Sequence, residues 1–96
     1  MKRSQVVRLL RAHRAEIAAH GVKSLALFGS VARDEALPES DVDILVEFSR
    51  PVGLFQFIDL KQYLEELLGC RVDLGTPNSL KPRMKDRVIQ EAIYVV

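Results

Sequence analysis

Two aspartates stand one residue apart inside the most apolar run of the chain, Asp41-Val42-Asp43-Ile44-Leu45-Val46. Strand residues i and i+2 share a face and lie about 6–7 Å apart along the strand. Like charges that close, in a partly dry site, tend to keep one group protonated. A divalent cation removes the conflict, because two or three Asp oxygens suit magnesium. Asp73, set between Val72 and Leu74, repeats the pattern of one acid among apolar neighbours. If its strand pairs beside the first, about 4.8 Å away, the three acids converge on one face. Three accessible carboxylates are what a two-metal phosphoryl-transfer site uses, its metals about 3.5–4 Å apart on the attacking and leaving oxygens.

Taken alone, Asp41 also fits a turn acid after Pro38-Glu39-Ser40, and Asp73 an ordinary strand acid ahead of a turn. Asp43 is harder to explain structurally, since buried unpaired acids are rare. Upstream, Phe28-Gly29-Ser30 supplies a second half to the site. Gly29 ends a strand and lets backbone come close to a ligand. Ser30 opens a helical turn whose N–H groups face anions, and its hydroxyl can cap that turn or add a donor. Arg33, one turn on, reads either as a phosphate partner or as a solvated surface arginine. Together these residues read as acids that hold metal beside a turn that holds a triphosphate.

The elements that position them follow from periodicity. Ser4 caps a first helix reaching about His20, with Val6, Leu9, Leu10, His13 and Ile17 on one face and Gly21 as the left-handed stop. Val22–Phe28 reads as a strand, Ser30–Ala36 as a short helical turn and Leu37–Ser40 as a loop. Asp41–Phe48 alternates, with Val42, Ile44, Val46 and Phe48 on one face and Asp41, Asp43, Leu45 and Glu47 on the other. A helix over Leu54–Leu68 places Leu54, Phe57, Ile58, Leu64 and Leu68 on its stripe, and Gly69 ends it. Arg71–Leu74 is a third strand, and a last helix covers roughly Lys81–Ile93. The order α-β-α-β-α-β-α predicts an α/β (α+β) chain: a small mixed sheet backed by helices.

Ninety-six residues leave room for one core, so residues 1–96 are expected to form a single domain. The hydrophobic share is 48%, the charged share 28% and the net charge +1, which gives no global basic field for nucleic acid. One cysteine, Cys70, cannot make an internal disulfide, and no apolar run reaches membrane-spanning length. The charged start shows no signal-peptide pattern, and a cytoplasmic setting is expected.

Phe28-Gly29-Ser30, a ten-residue spacer and Asp41-Val42-Asp43-Ile44 resemble the signature of the polymerase-beta-like nucleotidyltransferase superfamily. The run Phe28–Phe48, with the later Arg71–Lys81, is especially similar to its minimal nucleotidyltransferase branch, the MntA-like antitoxins paired with HEPN-type ribonuclease toxins. The resemblance covers nearly the whole chain. It implies the polymerase-beta-like nucleotidyltransferase fold and magnesium-dependent transfer of AMP from ATP to a hydroxyl, a toxin tyrosine, in a hetero-oligomer with that toxin. It implies that Asp41, Asp43 and Asp73 are catalytic metal ligands and that Gly29, Ser30 and Arg33 bind nucleotide. One departure is Asp34, where the family usually has Gly after the Ala-Arg pair.

Two other function classes compete. A silent fold could block the toxin by contact alone, but a non-catalytic binder has no use for a costly acid trio. Transfer to a small molecule or an RNA end usually employs a second domain to grip the acceptor, and none is expected here. Arg8-x4-His13 and Arg14-x5-His20 match the loose pattern of HEPN ribonucleases, yet each pair lies about 120–140° apart on a helix. His13 reads better as a core-edge residue, Cys70 as a small buried hydrophobe, Glu47 as a solvated strand end, and Lys81, Arg83, Lys85 and Arg87 as a solvated helix face. The helix over Leu54–Leu68 and the apolar tail Ile93–Val96 carry more hydrophobic surface than a small core needs. They are the expected partner surface, unless the tail packs on its own domain.

Overall fold

A strand that alternates apolar and acidic residues has one face to bury and one to keep accessible, and the architecture is built on that division. The computed structural model describes residues 2–37 and 40–96. Its elements are α1 (Arg3–Ala12), α2 (Arg14–Ala19), β1 (Val22–Phe28), α3 (Gly29–Ala32), β2 (Val42–Phe48), α4 (Leu54–Leu68), β3 (Val72–Gly75), a 3-10 turn (Pro77–Ser79), α5 (Pro82–Glu91) and β4 (Ile93–Tyr94). The predicted loop Leu37–Ser40 falls in part on Pro38 and Glu39, outside the described residues.

The sheet is mixed and runs β3-β2-β1-β4. β1 pairs antiparallel with β2 and with β4, whereas β2 and β3 are parallel. One face carries Leu25, Leu27, Val42, Ile44, Val46, Val72 and Leu74, which pack with Val6, Leu10, Ile17, Leu60, Leu64 and Leu68 of the helices. This is the helix-backed mixed sheet expected from the element order. Burying such side chains supplies most of the folding free energy, at about 1.5–3 kcal/mol each. Among the described residues no helix is long and apolar enough to cross a membrane.

The structure corrects four expectations. The first helix does not run unbroken from Ser4 to His20: it starts at Arg3 and divides at His13, whose backbone sits at φ −112°. There the His13 ring bonds the Leu9 carbonyl (2.9 Å) while its amide turns to Leu10 (3.2 Å), a tighter i−3 turn. Ser4 is not the cap; the Lys2 amide donates to Gln5 Oε1 (3.0 Å) and the Arg3 amide to Asp34 Oδ1 (3.3 Å).

The buried stripe of α4 is centred on Leu60, Leu64 and Leu68, with Phe57 half-buried against Phe48 at 6.4 Å between rings. Leu54 and Ile58 lie about a quarter turn or more away from that centre at 100° per residue and are exposed. The last helix stops at Glu91. The tail then forms a fourth strand on β1, with Val95 buried and its amide on the Leu25 carbonyl (2.9 Å). The tail therefore packs on its own sheet, and of the two proposed partner surfaces only α4 stays open.

Candidate active site

β1 ends at Phe28 in extended geometry, and Gly29 turns the chain at φ 68°, in the left-handed region that favours glycine. The β1–β2 register sets Phe28 opposite Asp43. As a result the Asp43 carboxylate lies against the Gly29 backbone, in the space that any Cβ at residue 29 would fill. Glycine is thus required twice at this position, by its φ and by its neighbour.

On the other side of β2, Asp43 is level with Asp73 in the parallel β2–β3 pair. The two carboxyl groups lie close together, and the Asp43 pKa is pushed up to about 6. Burial is the largest cause; the Asp73 charge, hydrogen bonding to the Asp73 carboxyl and the Asp41 charge add to it, and the Arg33 guanidinium opposes them. The expected pairing of the third strand beside the second is therefore present, and it brings Asp43 and Asp73 into contact. Asp41 lies just before β2 and is exposed, close enough for its charge to act on Asp43.

Among the described residues no three His, Cys, Asp or Glu side chains form a preassembled metal-binding cluster. The donor chemistry nevertheless suits a hard divalent cation. A proton held between Asp43 and Asp73 relieves the same repulsion that such an ion would relieve.

Ser30 is half-buried in α3, and its carbonyl accepts the Glu35 amide (2.8 Å). Arg33 donates from Nε to Glu35 Oε2 and from Nη1 to Glu91 Oε2, each at 3.3 Å. Both pairs are partly solvated, so they are cheap for a phosphate to replace. Asp34 sits at φ 59°, a conformation that glycine adopts freely and Asp tolerates. Its carboxylate is engaged with the Arg3 amide at the start of α1.

His13 and His20 lie in the helical layer, bonded to the carbonyls of Leu9 and Glu16, and His20 packs on Tyr63 at 4.9 Å. Neither belongs to the acid site. Cys70 is half-buried rather than buried, and burial pushes its thiol pKa up.

Two residues read from the sequence as solvated lie near the acids instead. Glu47 and Lys85 are both half-buried and line the same crevice on the acid-bearing face. Period 2 pointed to Glu47, which shares that face with Asp43; nothing local pointed to Lys85, because only the docking of α5 brings it there.

The family model for the nucleotidyltransferase domain matches residues 9–95. The chain belongs to the nucleotidyltransferase domain family. It is 45% identical over 92 residues to the protein adenylyltransferase MntA of Thermococcus cleftensis, covering 95% of this chain and 93% of that protein. A solved structure provisionally named a minimal nucleotidyltransferase superposes with a TM-score of 0.77 at 41% identity, covering 97% of this chain and 95% of the other.

A solved complex of a tri-AMPylated Shewanella oneidensis HEPN toxin with MNT antitoxin contains a chain matching at TM-score 0.66, over 94% of this chain and 71% of that one. At 19% identity this match shows the fold alone. As a nucleotidyltransferase, the chain is an enzyme.

Proposed function

We propose that residues 1–96 act as one minimal nucleotidyltransferase domain, a cytoplasmic antitoxin that transfers AMP from ATP to a tyrosine hydroxyl of a HEPN-type ribonuclease toxin. The observation that carries this reading is the Asp43–Asp73 carboxyl pair set against the Gly29 turn. The 45% identity to a protein adenylyltransferase supports the choice of AMP and of a protein acceptor. The fold shared with a chain of a HEPN toxin–MNT antitoxin complex supports the partner class.

In this reading Asp41, Asp43 and Asp73 hold magnesium, and Gly29, Ser30 and Arg33 receive the triphosphate. Bound magnesium would neutralise charge building on the phosphoryl oxygens. The acceptor oxygen bonds to the α-phosphorus, the bond from that phosphorus to its bridging oxygen breaks, and pyrophosphate leaves. Asp73, exposed beside Asp43, takes the acceptor proton. Arg33 exchanges its two glutamates for phosphate oxygens.

A contact-only antitoxin is the rival. It is disfavoured because the Asp43–Asp73 pair raises the energy of the charged site without serving a binding surface. The test is co-expression with the adjacent gene, followed by intact-mass analysis of the partner. A partner that gains AMP with the wild-type chain and none with Asp43→Asn supports transfer. A partner equally silenced by both, with no mass gain, establishes the contact-only reading instead.

A further inference from the structure

Strand β2 carries Asp43, Leu45 and Glu47 on one face, each about 6–7 Å beyond the last. That face is not bare. The Pro77–Ser79 turn, α5 and β4 fold over its far half and enclose a crevice of about 250 Å3. Its floor is Leu45 and its β1 partner Ala26, both buried although neither joins the helix-side core. Ile89 and Tyr94 flank it and stay 39% and 55% exposed, large apolar side chains beside a cleft they do not fill.

The polar groups are as telling. Of the four basic residues Lys81, Arg83, Lys85 and Arg87, only Lys85 is half-buried, and it lines the crevice. Glu47 lines it too, also half-buried. Opposite charges so placed would gain by closing on each other, yet the ion pairs among the described residues join Arg33, Arg87, Glu35 and Glu91 and leave these two apart. A donor and an acceptor that line one apolar crevice without pairing form the pattern of a small-ligand site.

We propose that this crevice is the base slot of the nucleotide: it takes the nucleobase of a nucleoside triphosphate whose phosphates lie at Gly29 and Asp43. The inference rests on the nucleotidyl-transfer reading of the acids. Its volume suits one planar ring system, being below the range of pockets that swallow a whole drug-sized ligand. Its start, one strand repeat from Asp43, is within reach of a nucleoside attached to the α-phosphate. Ile89 and Tyr94 pack on the ring faces, and Lys85 and Glu47 meet the adjacent acceptor and donor that every base edge presents.

Isothermal titration of the full chain with magnesium-ATP and with magnesium-tripolyphosphate tests the slot, because the second ligand has phosphates and no base. The wild type should bind ATP at least about tenfold tighter, a difference of about 1.4 kcal/mol. Ile89→Ser and Tyr94→Ala change no charge and alter exposed side chains, so the fold should hold. Each should weaken ATP several-fold and leave tripolyphosphate within about twofold, and Lys85→Met should weaken ATP more than tripolyphosphate. Equal wild-type affinity for the two ligands, or variants that shift both alike, overturns the base slot and leaves the phosphate site standing. A wild type that binds neither ligand overturns both.

Discussion

The Gly29 backbone and the Asp43 carboxylate occupy adjoining space: the turn after β1 is open only because residue 29 has no side chain. Gly29→Ala should therefore cost more than a left-handed backbone alone. Gly69 provides the control, with φ 69° and nothing within 4 Å of an added methyl. Gly69→Ala should lose about 1–2 kcal/mol and keep full transfer activity. Gly29→Ala should lose about 1–3 kcal/mol more and displace Asp43, abolishing transfer. Denaturant unfolding of both variants, beside a labelled-ATP transfer assay, makes the comparison.

Asp43 carries a pH signature. Its folded pKa is raised to about 6 from 3.8, so between those values the folded state keeps a proton that the unfolded chain releases. The contribution to stability is complete below about pH 4 and is lost as pH rises through 6. Asp43→Asn should accordingly raise the melting temperature in chelator at pH 7.5 and change it little at pH 4. A gain of the same size at both pH values would mean that the carboxylate is not strained by its neighbours.

Asp73 separates from Asp43 by role. If it takes the acceptor proton, Asp73→Asn should retain much of the ATP affinity and lose turnover, whereas Asp43→Asn should lose both. It should also bring the Asp43 titration down, since Asp73 supplies two of the causes that raise it. Calorimetric ATP binding, radiolabelled transfer and carboxyl NMR titration read the three effects. Matching losses of ATP binding in the two variants would make Asp73 an ordinary first-metal ligand.

The first turns of α4 are the open apolar surface. Leu54 is 70% and Phe55 83% exposed, and Leu54 borders a groove of about 930 Å3 with Phe57 and Leu74. Such patches mark contacts with other chains. If the proposed toxin docks here, Phe55→Glu should release it in size-exclusion chromatography while leaving the melting temperature and ATP affinity unchanged. A complex that survives this change locates the interface elsewhere.

The tail is structural. Val95 is buried and bonded to Leu25, so Val95→Asp should destabilise the chain by at least about 2 kcal/mol. Chemical denaturation measures the loss. No loss would return the last residues to the role of a free partner surface.

The sequence by itself determined what depends on neighbours along the chain. Alternation in β2 put Asp43 and Glu47 on the face opposite Ile44 and Val46, because side chains on a strand repeat every second residue. The turn at Gly29 and the stop at Gly69 were legible because few residues but glycine accept positive φ. The length of α4 was legible too, although its stripe was not, since apolar residues nearly surround the helix and only the docked sheet selects Leu60 and Leu64.

Tertiary structure decided the rest, for one physical reason: these features depend on segments far apart in sequence. The parallel register that sets Asp43 beside Asp73 joins strands separated by the whole of α4. β4 has two residues, too few to show a period, and exists only because β1 offers it an edge. Lys85 looks like one more solvated cation until α5 lies across the sheet, and only then does it line, with Glu47, a crevice that no local pattern encodes.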